Sequence, residues 1–439
     1  VSGDATSPGD LDVARFALDA TWERHGAVVL AGSPLRLFRL GAAGVCVAEH
    51  LENGRPINAT TARSALVERL LDAGAIHPVL RPGRTRAAVG VTVVTPQLGG
   101  HVRHDGRLTV DDGSQPPLDG AAVRLERNAG PAAARNAARP LVDSPLVAFV
   151  DADVEADVPA DGAWWTPLLD HFDDPRVALV APRVTGEAGS PLDLGQQPAR
   201  IRSGSRVSYV AGAAIVVRVE ALDSIGWFDE TLRFGEDVDL VWRLDEAGWW
   251  CRYDPSVHVW HEPRATIGAR LRQHAGYGSS AAPLALRHPR ALAPLRSNGW
   301  TAAVWAVAIG AGRPFVAGAI AVGSALALGP KLPDVPRSTS LALALRGHAM
   351  AGRQLTDAVR RVWWPVVAVA ALRSTRARLL LAASVIASPR SAATDAAYGW
   401  GVWRGVRRHR TAAPLLPRIS AWPARQPSTT ATPAPRRRC

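Results

Sequence analysis

Apolar positions follow two regimes along the chain. Between residues 89 and 261 they come as short runs without polar alternation, such as Val89-Gly90-Val91-Thr92-Val93-Val94, Leu146 to Val150 and Val177 to Ala181. Strands buried on both faces of a mostly parallel sheet read this way. Further strands are expected at Leu108-Thr109-Val110-Asp111, Ala121 to Leu125 and Val207 to Val217. Helical patterns lie between them: Asn128 to Asn136, the stretch near Trp164 to Phe172, and Asp237 to Ala247. In the last of these Val238, Val241, Trp242 and Leu244 share a face and Gly248 is the stop. Alternating strand and helix define an α/β class, with ligands gathering at the carboxyl ends of the strands.

On either side the pattern changes. Ala27 to Ala31 and Leu35 to Leu40, flanking Gly32-Ser33-Pro34, read as a β-hairpin. Two helices follow, Ala42 to Leu51 and one with Thr61 as N-cap, apolar Leu66, Val67, Leu70 and Leu71, and Gly74 as stop; Ala75 to Leu80 closes the unit as a strand. Residues 1–84 therefore form a small winged-helix-like module, ending in the linker Arg81-Pro82-Gly83-Arg84. Residues 85–290 form the α/β domain. Beyond it, Gly299 to Gly329 is apolar but broken at Arg313-Pro314, and Val362 to Leu372 and Leu379 to Ala387 are too short to span a bilayer. Residues 291–422 are expected to be an apolar helical region lying on a membrane surface, and 423–439 a disordered tail like residues 1–10.

Charge sharpens this. The 439 residues carry a net +12, and Lys331 is the one lysine among 51 basic residues. No helix-turn-helix, zinc-finger spacing or basic stripe interleaved with aromatics accompanies that charge, which argues against a nucleic-acid partner. Much of the excess sits beside the apolar segments, at Arg360, Arg361, Arg373, Arg376, Arg378, Arg404, Arg407 and Arg408, and fits the inner face of an anionic membrane. Three cysteines without metal-ligand spacing and an N-terminus lacking a signal-peptide pattern lead us to expect a cytoplasmic location.

Three acidic stations stand at expected element ends. Asp151-Ala152-Asp153 closes a buried strand and has the spacing to hold Mn2+ or Mg2+, with His261 as a third ligand. Asp111-Asp112-Gly113-Ser114 can accept hydrogen bonds from a nucleoside, with Asn128, Gly130, Arg135 and Asn136 lining the same pocket and Asp151 touching the same ligand. Asp237, at a helix start, is the candidate general base, oriented by Glu236.

The succession V-T-V-V-x-P, D-D-G-S, N-x-G-x-x-x-A-R-N, D-x-D and G-E-D-x-D-L-x-x-R-L-x-x-A-G resembles the inverting family 2 glycosyltransferases of the GT-A fold over residues 89–265. Ser190-Pro191-Leu192-Asp193-Leu194-Gly195, Arg206-Val207-Ser208-Tyr209-Val210 and an N-terminal unit similar to the PqqD-like peptide-recognition modules narrow the resemblance to the glycosyltransferases of mycofactocin systems in actinobacteria. That resemblance implies UDP-glucose as donor, a peptide-derived precursor as acceptor and a β-1,4-linked glucose chain as product. It also implies Asp111 or Asp112 at the uridine, Asp153 with Asp151 at the metal and Asp237 as base. A cell-wall or lipid-linked rhamnosyl or galactosyl transferase is the alternative enzyme. A peptide-binding scaffold without activity is the alternative of another class, motivated by Gln97 to Arg107, where the family has a longer loop and a helix.

Overall fold

The computed structural model describes residues 13–420 except 63, 81–88, 104, 157–162, 187–189, 191, 263–265 and 290. The linker 81–84 and the terminal segments 1–10 and 423–439 lie outside the described residues.

The central sheet has nine described strands: β1 Val91–Gln97, β2 Leu108–Asp111, β3 Val123–Arg124, β4 Leu146–Val150, β5 Val154–Ala156, β6 Val177–Thr185, β7 Ala199–Ile201, β8 Ala214–Arg218 and β9 Trp250–His261. Their order is β3-β2-β1-β4-β8-β6-β9-β5, with β7 also on β9. The strands β3, β2, β1, β4, β6 and β9 run one way, whereas β8 is antiparallel to β4 and β6, and β5 and β7 are antiparallel to β9. The sheet is mixed and mostly parallel.

Every residue of β4 is buried, because both faces of the sheet are covered. On one face Ala148, Val150 and Val180 pack with Trp164 and Leu168 and with Val29, Phe38, Leu70 and Ile76 of the N-terminal unit. On the other, Val147, Phe149 and Leu179 meet Trp227, Leu222 and Leu240. This second face carries α1 Pro131–Ala137, α2 Val219–Ile225 and α3 Glu236–Glu246.

A short second strand explains how residues 98–107 connect two parallel strands without a helix. Parallel neighbours ordinarily need a crossover of about a dozen residues or more. Here β2 pairs only with the last part of β1, in the register Val94 with Leu108 through Gln97 with Asp111. The chain therefore steps back only about 10 Å, three residues at roughly 3.3 Å each. Gln97 Nε2 donates to the carbonyls of Gly99 and His101, at 2.9 and 3.0 Å, and Ser114 Oγ accepts from the Gly99 amide at 2.8 Å.

The N-terminal unit has a meander of Glu23–His25, Val28–Ala31 and Arg36–Arg39, with helices Ala42–Glu52 and Ala65–Asp72. Its second main helix starts later than Thr61. Asn58 Oδ1 takes the Thr61 amide in a separate turn, Ala59–Ala62, and Ser64 caps the helix proper through the Val67 amide. The unit is riveted to the sheet by Arg206 on Asp19, at 3.0 Å, and Arg202 on Asp72, at 3.1 Å. A second departure concerns Val207 to Val217, where strand forms only from Ala214. The Gly212 amide and carbonyl are taken by Asp237 and Arg135 instead of a ladder partner. The stretch near Trp164 folds as a 3-10 helix, Thr166–Asp173.

The C-terminal region is helical: α4 Ile267–Ser279, α5 Ala281–Arg287, α6 Gly299–Trp305, α7 Pro314–Leu326, α8 Arg337–Ala358, α9 Trp364–Ala371, α10 Thr375–Ile386 and α11 Ala392–His409. Glycines set the α4–α11 distance. A Cβ on Gly278 would lie 1.9 Å from the Tyr398 carbonyl oxygen, and one on Gly401 would lie 2.0 Å from that of Ala275. Gly401→Ala must push two backbones apart, and we expect it to cost about 2 kcal/mol or more, in the range of overpacked cores. Gly318 in α7 faces open space. Gly318→Ala is expected to be neutral or to stabilise by up to about 1 kcal/mol. Urea unfolding of both variants measures the difference.

Candidate active site

Four elements converge on one buried guanidinium. Arg135, on α1, has a side chain only 2 % exposed. Its Nη2 donates to Asp151 Oδ1 at 2.8 Å and to the Gly212 carbonyl at 3.1 Å, and its Nη1 donates to Glu236 Oε1 at 2.9 Å. The Phe228 ring lies 5.2 Å from its centre of charge. Asp151 follows β4, Gly212 precedes β8 and Glu236 opens α3, so this cation ties the carboxyl end of the central strand to two neighbouring elements.

Beside it Asp237 accepts from the Gly212 amide at 3.0 Å and from the Val238 amide at 2.8 Å. Half-buried at the first turn of α3, its carboxylate is fixed by these backbone donors, and Arg135 attracts it from nearby. Gly235, with φ 78°, turns the chain into this helix, and a Cβ there would meet Ser280 and Leu284 of the C-terminal helices. Those helices thus set where Asp237 stands.

The metal triad expected from sequence is rearranged. Asp151 and Asp153 flank a tight turn in which the Asp151 carbonyl accepts from the Val154 amide at 3.1 Å. Because β5 pairs antiparallel with β9, Val154 sits opposite His261, and His261 Nε2 comes 3.5 Å from Asp153 Oδ1. Asp151 turns towards Arg135 instead, and no three His, Cys, Asp or Glu side chains converge as a metal cage among the described residues. Asp153 and His261 are the pair left that could donate to a metal, with Asp153 28 % exposed. Two donors suit a divalent cation whose other oxygen ligands come from a diphosphate and water.

The nucleoside station is built differently from its sequence expectation. Asp111 is fully buried and accepts from the Ser114 amide at 2.7 Å, the Leu118 amide at 3.1 Å and Arg124 Nη1 at 2.9 Å. Burial pushes its carboxyl up, but these donors outweigh burial and hold it below the ordinary range. Asp112 accepts from the Ala129 and Gly130 amides, at 2.7 and 2.9 Å, and so anchors the loop that enters α1. Asn128 bonds Arg233, and Gly130, at φ 102°, leaves room for that same arginine. Asn136 clamps the 228–230 loop, donating to the Phe228 carbonyl and accepting from its amide. Both aspartates and Asn136 thus spend their hydrogen bonds on shaping loops. Asp239, present in the G-E-D-x-D-L-x-x-R-L motif but given no role by it, is fully buried and accepts from Arg243 at 2.6 Å, with His288 at 3.1 Å. The i,i+4 spacing of Asp239 and Arg243 is the signal of that pairing.

Electrostatics follow from one cation among several carboxylates. Burial raises the Glu236 carboxyl to about 7, with Asp237 adding to it and Arg135 opposing. Burial also raises Asp151, Asp153 adds to that, and Arg135 opposes. A carboxyl raised on folding stabilises the protein fully below its unfolded value, and that stability is lost as pH rises through the folded value. The stability that Glu236 contributes should therefore fall between about pH 4.5 and 7. The melting temperature of Glu236→Gln, followed from pH 4 to 8, is expected to show a smaller decline than that of the unaltered chain.

Comparisons with known proteins bear on the family of the chain. Family models described as glycosyl transferase family 2 and glycosyl transferase family group 2 match residues 110–214 and 194–385. The chain is 37 % identical over 456 aligned positions to the pre-mycofactocin glycosyltransferase of Mycobacterium tuberculosis, covering 90 % of this chain and 95 % of that one. It is 29 % identical to the succinoglycan biosynthesis protein ExoA of Rhizobium meliloti over 34 % of this chain and 49 % of that protein. Among solved structures, the mannosyltransferase PcManGT from Pyrobaculum calidifontis, in complex with GDP-Man and Mn2+, aligns over 73 % of this chain and 86 % of its own, with 16 % identity and a TM-score of 0.40. The chain belongs to the family 2 glycosyltransferases, in the branch that contains the pre-mycofactocin glycosyltransferase.

Proposed function

We propose that the chain is an inverting glucosyltransferase that moves glucose from UDP-glucose to a peptide-derived mycofactocin precursor and extends it as a β-1,4-linked chain. The observation that carries this reading is the Asp237 carboxylate, fixed by two backbone amides beside the Arg135 cluster at the carboxyl end of the sheet. The full-length likeness to a pre-mycofactocin glycosyltransferase supports the acceptor class.

In this mechanism the acceptor hydroxyl enters over α3 and gives its proton to Asp237 as its oxygen bonds the anomeric carbon. The bond from that carbon to UDP breaks on the opposite side, so an α-linked donor yields a β-linked product. Glu236 and Arg135 orient the site, and the loop built on Asp111 and Asp112 takes the nucleoside. Asp153 and His261, with Asp151 alongside, would hold Mn2+ or Mg2+. When bound, the ion neutralises the diphosphate. The enzyme works in the cytoplasm at the inner membrane face. Phe315, Val369, Leu372, Leu379 and Ile386 are exposed and support that placement, as does the one described helical segment apolar and long enough to cross a bilayer, 314–331, with mean hydropathy 1.3.

UDP release from UDP-glucose, with Mn2+ or Mg2+ and a mycofactocin precursor, tests the reading. Asp237→Asn is expected to lower acceptor-dependent turnover by about 100-fold to 10,000-fold, the usual contribution of a general base. Chelation should abolish turnover and restored Mn2+ should recover it. Turnover of the variant at the unaltered rate removes Asp237 as base. Preference for a rhamnosyl or galactosyl donor points to the cell-wall alternative, and no turnover with any nucleotide sugar points to the scaffold.

A further inference from the structure

A cavity lies away from the acid cluster, in the seam between the N-terminal unit and the sheet. It has a volume of about 530 Å³ and takes its walls from Ala17, His77 and Pro78 of the N-terminal unit and from the 3-10 helix, the start of β7 and the middle of β9. Residues 255–257 bulge out of β9, so Arg252 pairs opposite Val180 and Trp260 opposite Thr185; His261 therefore stands about 20 Å further along the sheet, six strand positions at roughly 3.3 Å each.

Arg252 lines this cavity and is 4 % exposed. Three guanidiniums gather around the Trp250 ring, those of Arg176, Arg200 and Arg252, at 4.1, 5.5 and 5.2 Å from its centroid. The first two have acidic partners: Arg176 pairs with Asp174 at 2.9 Å and Arg200 with Asp245 at 2.8 Å. Arg252 has the ring but no hydrogen bond or ion pair among the described residues; Asp174 and Asp254 attract it only at longer range. Two neighbouring pairs are matched, His171 with Asp254 at 2.8 Å and His77 with Asp19 at 3.1 Å. Burial, with Arg200 and Arg176 close by, lowers the Arg252 guanidinium to about 10. A buried guanidinium without a hydrogen-bonded partner is costly, and an arriving anion that bonds it relieves that cost.

The rest of the cavity decides which anion. Pro78, Pro167, Pro198 and Pro255 give it apolar walls, and Asp254 on the same lining is bonded to His171. One guanidinium matches one negative charge, and the second charge of a phosphate would be left buried against apolar walls. A single carboxylate on an apolar body leaves no charge over.

We propose that this cavity binds a monoanionic carboxylate with an apolar body, anchored by the Arg252 guanidinium. Such a group belongs either to a free small acid or to the end of a peptide. The site is separate from the transfer reaction and is read by binding alone.

Calorimetry and thermal melting of the full chain test it with isovalerate, its neutral amide, inorganic phosphate, and an N-acetylated alanyl-leucine with a free carboxylate. The acids are expected to bind and to raise the melting temperature by about 2 °C or more at saturating concentration. The tighter of isovalerate and the dipeptide identifies the source. Arg252→Met should weaken acid binding about tenfold or more, the loss of one charge-assisted hydrogen bond. Equal binding of acid and amide, tighter binding of phosphate, or undiminished affinity in Arg252→Met each overturns the proposal. If Arg252→Met does not fold, the acid and amide comparison on the unaltered chain decides.

Discussion

The Arg135 guanidinium is the point through which the catalytic end of the sheet is tied together. It bonds Asp151, Gly212 and Glu236 at once, from a position almost closed to water. Removing it would leave Asp151 and Glu236 as unpaired charges, the costly way to break a buried pair. Keeping it leaves more negative than positive charge, since Asp237 and Asp153 also stand close by. That surplus is what a diphosphate-bound cation or a transferable proton can satisfy. The same contacts that hold the site's geometry therefore leave it short of positive charge.

The surrounding architecture serves this arrangement in physical terms. Gly212 gives both its amide and its carbonyl to the site, which ends β8 at Ala214. Asn136 and Arg243 fix the backbone of residues 225–228 that leads towards α3, and α4 and α5 close against the Gly235 turn. The C-terminal helices are thus a buttress for the transferase domain as well as the carrier of its apolar surface. A four-residue β2 makes the short crossover at residues 98–107 geometrically sufficient, so the missing helix does not by itself dismantle the sheet.

Much of the fold was legible because its signals are local. The unbroken apolar run of β4, the hairpin around Gly32-Ser33-Pro34 and the apolar face of α3 each state their structure within a few residues. The misses came where distant groups override local pattern. Val207 to Ala213 was expected to be strand, yet its backbone is claimed at Gly212 by side chains from α1 and α3. Thr61 is a good cap by type, but Asn58 and Ser64 divide that role between two helices. Asp111, Asp112 and Asn136 were visible as polar residues in motifs, while their commitment to backbone amides and carbonyls was not. Arg135 could be suspected of pairing with aspartates. Only the folded chain brings Glu236, 101 residues away, to its other nitrogen.

The central claim is that Arg135 and Glu236 depend on each other as a buried pair. A double-mutant cycle in urea unfolding, with Arg135→Met, Glu236→Gln and both together, tests it most directly. The account predicts that Arg135→Met costs less once Glu236 is uncharged, with a coupling of about 1.5 kcal/mol or more, as for charge-assisted hydrogen bonds. Additive costs would contradict it.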